Sequence, residues 1–192
     1  MKSPDFPENL PKNFPLFWEE VKQYLETHNK KIEIKNSSYL LNSGKCGGFC
    51  DGNRIVVAKN VDSFLDVLCH EYCHMQQAVE ESPLWTGDFW SLKYNISDFG
   101  ALYNLLLLER DCELRVLELN KKWNFFNPQI YSKKANTYLF FYHYVFLKRK
   151  WRISTTVYLP EIVSKMPSEI VSPERLQMID MPMMAEYEKY FG

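Results

Sequence analysis

The segment His70-Glu71-Tyr72-Cys73-His74 restricts the fold more than any other feature of the chain. Two residues four apart in a strand share a face but stand about 13 Å apart along it. On an α-helix they share a face at about 6 Å, one turn apart. Two imidazoles so placed on a helix can share one ion at the usual 2.0–2.1 Å for a zinc–nitrogen bond. Glu71 then lies about 100° round the helix from His70 and about 60° from His74. That is too far round to join the pair easily as a ligand. It is well placed to take a proton from water held on the open side of a metal.

The flanking sequence supports a helix from Ser63 to about Glu80, before Pro83. Ser63 followed by Asp66 resembles a capping box, with Asp in place of Glu or Gln. At about 100° per residue, Phe64, Leu68, Tyr72, Met75 and Val79 gather on one side, and His70, His74 and Gln77 on another. The histidines therefore point away from the apolar face of their helix. A bland reading, two surface histidines beside a glutamate, is weakened by this arrangement.

A catalytic zinc usually has three protein ligands and one open position. The predicted helix from about Ala101 to Lys121 supplies candidates. Leu102, Leu105, Leu106, Leu108, Cys112, Val116, Leu117 and Leu119 form a broad apolar face, and Glu109 and Glu113 fall near its middle, one turn apart. A buried carboxylate must be paired, protonated or bound to a metal. Pairing with Arg or Lys from another element is one explanation. A metal with its histidine shell is another: one carboxylate binds the ion and the other accepts a hydrogen bond from a ligand imidazole.

In these motifs the chain resembles zincin metallopeptidases of the gluzincin type, with H-E-x-x-H on one helix and a later Glu-x-x-x-Glu. The wording HEYCHMQQ after a hairpin, followed by LERDCE, is also similar to small metallopeptidases of bacteriophages. The resemblance covers about residues 45 to 120. It implies a zincin-like α+β fold, a small antiparallel sheet packed on several long helices. It also implies a zinc-dependent hydrolase of peptide bonds. Carried over residue by residue, His70, His74 and Glu109 bind Zn²⁺, Glu71 is the general base and Glu113 supports a ligand histidine. Where the group commonly has Asp, this chain has Glu113, one methylene longer, which allows the roles of Glu109 and Glu113 to be exchanged. A third histidine shortly after the pair, as in metzincins, is absent; the only later one is His143. The resemblance further implies an extended substrate lying along a strand near the motif helix, for which Arg54 to Ala58 is the candidate. The expected partner is a peptide or protein substrate, and the expected compartment is the cytoplasm, that of the host cell if the chain is phage-encoded. The competing function is a zinc-containing binding or host-takeover protein that keeps the fold without cleaving anything. An intact Glu71 argues against it.

The 192 residues suit a single domain. An aromatic content of 16% excludes a disordered chain. A net charge of -1 gives no basic excess and argues against nucleic acid as a partner. The Pro-broken start, residues 1–14, lacks the apolar core of a secretory signal. The run Tyr138 to Leu147 falls short of the about 20 residues that span a bilayer, so no membrane partner is expected. Five cysteines, an odd number, read as reduced thiols. The expected order is a helix to about His28, strands at Lys31–Lys35 and near Tyr39–Leu41, and a loop over 44–48. A hairpin follows, with Asp51-Gly52-Asn53 turning into Arg54–Ala58. After the motif helix come a loop to Asp98, the carboxylate helix and a helix from about Tyr131 to Trp151. The C-terminal extension, 160–192, reads as loops with one short helix opening at Ser172-Pro173-Glu174.

Other residues carry weaker signals. Cys46 and Cys50 lack a second pair at zinc-finger spacing. Cys73 and Cys112 read as small buried fillers. A cysteine nucleophile paired with histidine leaves both buried glutamates without a purpose. Tyr142, His143 or Tyr144 could donate to a developing oxyanion, although aromatics packing a core helix explain them as well. The cluster Lys148 to Arg152 reads as a solvated helix end, and Trp85 and Trp90 line either a cleft or a core.

Overall fold

The computed structural model describes residues 6–41, 45–85, 98–149 and 157–192. The described residues are mixed α and β, with seven helices and a three-stranded sheet. They form two compact units: one up to Ser82 together with Glu118–Phe125, the other within Pro83–Leu117 and Phe126–Gly192.

In the first unit, helix α1 (Phe14–Thr27) opens with Pro15 in its first turn, where a missing N–H costs nothing. Phe14, Phe17, Trp18, Val21 and Leu25 recur at helical spacing and are all buried. Asn13, at the cap position, donates from Nδ2 to the Trp123 carbonyl at 2.6 Å. Strands β1 (Lys31–Lys35), β4 (Gly48–Cys50) and β5 (Arg54–Ala58) form the sheet in the order β1-β5-β4. Strands β2 (Leu40–Leu41) and β3 (Lys45–Cys46) pair separately. The Asp-Gly turn behaves as its sequence predicts. Asp51 Oδ1 accepts from the backbone N–H of Asn53 and Arg54, and Gly52 takes φ 80°.

The sheet corrects two expectations. It is mixed, not antiparallel: β4 pairs antiparallel to β5, with Phe49 opposite Val56, but β1 runs parallel to it, with Ile32 opposite Ile55. The alternation in Lys31–Lys35 shows which residues face the core and carries no information about strand direction. The chain makes a complete excursion through β2, β3 and β4 before β5, and returns pointing the same way as β1. Strand β5 therefore lies in the middle with neighbours on both sides, and Ile55, Val56, Val57 and Ala58 are all buried. Its backbone groups serve β1 and β4, so Arg54–Ala58 is not the strand that a substrate could extend. Among the described residues β1 and β4 are the outer strands of this sheet.

Helix α2 (Phe64–Val79) carries the His–Glu–x–x–His segment. It starts where Ser63 predicts, but the Ser63 side chain makes no capping bond. Asp66 in the first turn complements the helix dipole instead. At the other end Ser82 N–H returns to the Gln77 carbonyl at 3.0 Å, with Glu81 in the left-handed region at φ 52°. This Schellman closure ends the helix before Pro83 can act.

The second unit is helical. Helix α3 (Phe99–Trp123), whose last six residues belong to the first unit, is capped by Asp98 Oδ1 on Ala101 N–H at 2.8 Å. Helix α4 (Pro128–Lys148) is capped by Asn127 on Ile130 N–H, and ends at Arg149 with φ 51°. The tail holds three helices rather than one: α5 (Pro160–Val163), α6 (Pro173–Leu176) and α7 (Met181–Phe191). Asp180 caps α7 by accepting from Met183 N–H, and Met184 and Tyr187 form its buried stripe. Asn136 holds the tail against α4, donating to the carbonyls of Pro167 and Glu169 and accepting from Val171 N–H. Trp85 is partly buried against this core. Trp90 and residues 150–152 of the basic cluster lie outside the described residues. Among the described residues no helix is long and apolar enough to cross a membrane.

Candidate functional site

On α2 the rings of His70 and His74 have centroids 4.5 Å apart with planes at 90°. His70 is half-buried. His74 is 4% exposed and Gln77 is 0% exposed, so α2 is buried on its polar side as well as on its apolar side. His74 Nδ1 stands 2.7 Å from Gln77 Oε1. An amide oxygen can only accept, so Nδ1 carries a proton, and the neutral ring then keeps its lone pair on Nε2, one of the two nitrogens through which an imidazole can bind a metal. Gln77 was visible in the sequence only as a member of the histidine face, and the three-residue spacing from His74 was the signal.

Glu71 is buried at 8% exposure on the same helix. Strand β4 passes close beside it. A Cβ placed on Gly48 would come within 2.9 Å of Glu71 Cγ and 2.6 Å of Val67 Cγ1. Glycine at 48 thus lets the strand approach the base candidate, a use of glycine in a strand that the Gly47-Gly48 pair signals.

In the second unit Glu109 and Glu113 lie on the apolar face of α3, 1% and 5% exposed. Cys112, between them, is 0% exposed. Both carboxylates accept hydroxyl protons from α4: Tyr142 donates to Glu109 Oε1 at 2.8 Å, and Tyr131 donates to Glu113 Oε2. Burial, and then the negative charge of Glu109, hold the Tyr142 hydroxyl well above its ordinary pKa, so it stays a proton donor. The arginines of α3 turn elsewhere: Arg110 donates to the Val171 carbonyl and Arg115 pairs with Asp111. Tyr131 carries no motif of its own, and its role emerges only when α4 is set beside α3.

His143 follows Tyr142 on α4 but faces another direction. It is 0% exposed, donates from Nε2 to the Leu176 carbonyl at 3.1 Å, and lies nearly parallel to Phe99 at 6.3 Å. Burial pushes its pKa below the ordinary value, outweighing the Leu176 carbonyl and Asp180. The imidazole is a neutral core group whose proton is committed to backbone. No family model, curated protein or solved structure matches this chain.

Proposed function

We propose that the chain is a zinc-dependent peptidase, with His70, His74 and Glu109 as ligands and Glu71 as general base. The observation that carries this reading is the Gln77 contact, which prepares His74 Nε2 as a ligand atom on the face shared with His70. The donor types fit the ion: two imidazoles with buried carboxylates are a common zinc set. Glu113 is the alternative carboxylate ligand.

Zinc bound by these residues would lower the pKa of a coordinated water and polarise a substrate carbonyl. The remaining work belongs to the chain. Glu71 takes the water proton on a carboxylate oxygen and returns it to the leaving amine. Tyr131 and Tyr142 hold Glu113 and Glu109 in fixed rotamers.

The test is chelator-sensitive cleavage of a peptide library by wild type and Glu71→Gln. Cleavage by wild type alone, with zinc retained by both, supports the reading. Zinc retained with no cleavage by either protein points to a non-catalytic zinc-binding protein. Cleavage by Glu71→Gln at the wild-type rate rejects Glu71 as base.

A further inference from the structure

We propose that His143 is an acid-operated catch for segment 172–180, which holds α6 and the turn into α7. At neutral pH the segment lies against α4; in acid it comes away while both its ends stay tied. The proposal is independent of any metal. The ring is fully buried, and its two nitrogens are in different situations. Nε2 donates to the Leu176 carbonyl at the end of α6, at 3.1 Å. Nδ1 is buried with no hydrogen-bond partner among the described residues. Phe99 of α3 and Phe140 of α4 lie against the ring, with centroids 6.3 and 6.0 Å away. A neutral imidazole fits this setting, because it has one N–H and that N–H has its acceptor. A second proton would place an N–H without a partner, and a charge, beside two phenyl rings.

The surrounding charges do not offset that cost. Among the described residues Asp180 attracts a charged ring, but it already pairs with Arg175, whose guanidinium stands over Phe140 at 6.0 Å. On α3, Tyr103 accepts from Gln177, and Arg110 donates to the Val171 carbonyl. On α4, Tyr142 and Tyr144 donate to Glu109 and Glu188. Burial therefore prevails and keeps the ring neutral.

The segment is the part that gives way. Helix α6 has four residues, too few to persist off its support, and Leu176 is its buried anchor. The flanks are tied by groups that do not titrate in this range. Before the segment, Asn136 donates to the carbonyls of Pro167 and Glu169 and accepts from Val171 N–H. After it, Tyr187 donates to the Thr137 carbonyl at 2.6 Å. The Arg175–Asp180 pair lies within the segment and moves with it. Opening between these ties brings His143 to water, where the ring takes up a proton below about pH 6.5. The catch is thus closed above that pH and is released as pH falls.

The test is hydrogen exchange of the full chain at pH 7 and pH 5, corrected for intrinsic rates and repeated in dilute urea. The Leu176 and Gln177 amides bond to carbonyls of residues 172–174. From pH 7 to pH 5 their protection should fall about tenfold. Dilute urea should leave their exchange unchanged, because a local opening exposes little surface. The Val171 amide, held by Asn136 Oδ1, should stay better protected than Leu176 by about tenfold or more at both pH values. His143→Gln keeps a side-chain N–H and does not titrate, so its Leu176 protection should differ by no more than about twofold between the two pH values. Equal protection of Leu176 and Val171 in wild type would overturn the proposal, because one global unfolding would then expose both. Leu176 protection that ignores pH in wild type, or a tenfold loss that persists in folded His143→Gln, would overturn it as well.

Discussion

His74 Nδ1 and Gln77 Oε1 are 2.7 Å apart, one turn along α2, and this contact sets the tautomer of the imidazole. Gln77→Met keeps the volume and removes the acceptor. Zinc affinity, measured by competition with a chromogenic chelator, should fall about 10- to 100-fold. Gln77→Glu restores an acceptor and should recover most of the loss. Equal affinity in all three proteins would remove Gln77 from the account.

Gly48 tests the placement of Glu71. In Gly48→Ala the new methyl group meets Glu71 Cγ and Val67 Cγ1 at distances side chains do not tolerate. Turnover should drop at least tenfold while zinc content stays at the wild-type level, because both histidines are untouched. A fully active Gly48→Ala would show that Glu71 has no need of its position against β4.

The Tyr142–Glu109 bond is buried and has a carboxylate as acceptor. Tyr142→Phe should lower the stability of metal-stripped protein by about 1.5–3 kcal/mol, read from urea denaturation. It should also weaken zinc binding. Tyr131→Phe should do the same to stability, and the variant with the larger loss of zinc affinity identifies which carboxylate is the ligand. Zinc affinity unchanged in both would separate the tyrosine–carboxylate pairs from any metal site.

His143 gives a pH signature. Its folded pKa lies below the ordinary histidine value because the ring is buried. As pH falls below about 6.5, the unfolded chain takes up a proton that the folded chain refuses. The contribution to stability is thus present above that pH and lost as pH falls towards the folded pKa. Denaturation midpoints of metal-stripped protein should decline from pH 7 to 5, and His143→Phe should flatten the decline. An equal decline in both proteins would assign it to other groups.

Much of this arrangement was legible along the chain. The His70–His74 turn and the burial of Glu109 and Glu113 follow from helical periodicity, which depends only on local geometry. The Asp51-Gly52 turn follows from backbone preference. Other features depend on partners distant in sequence. The parallel pairing of Ile32 with Ile55 leaves no mark on either strand, since alternation is identical in both directions. Helix α7 opens at Met181-Pro182-Met183-Met184, where the cap at Asp180 and Pro182 in the first turn are the local signs. His143 looked chemical by type, and its burial against Leu176 and Phe99 makes it a core residue. The hydroxyls of Tyr131 and Tyr142 acquire meaning only once α4 lies along α3.

Metal content tests the central claim most directly. Wild type, His70→Ala, Glu109→Ala and Glu113→Ala, each purified, loaded with zinc and dialysed, are compared by elemental analysis. The account predicts about one zinc per chain in wild type, none in His70→Ala, and loss in one of the two glutamate variants. Wild type that takes up no zinc, or His70→Ala that retains it, would contradict the account.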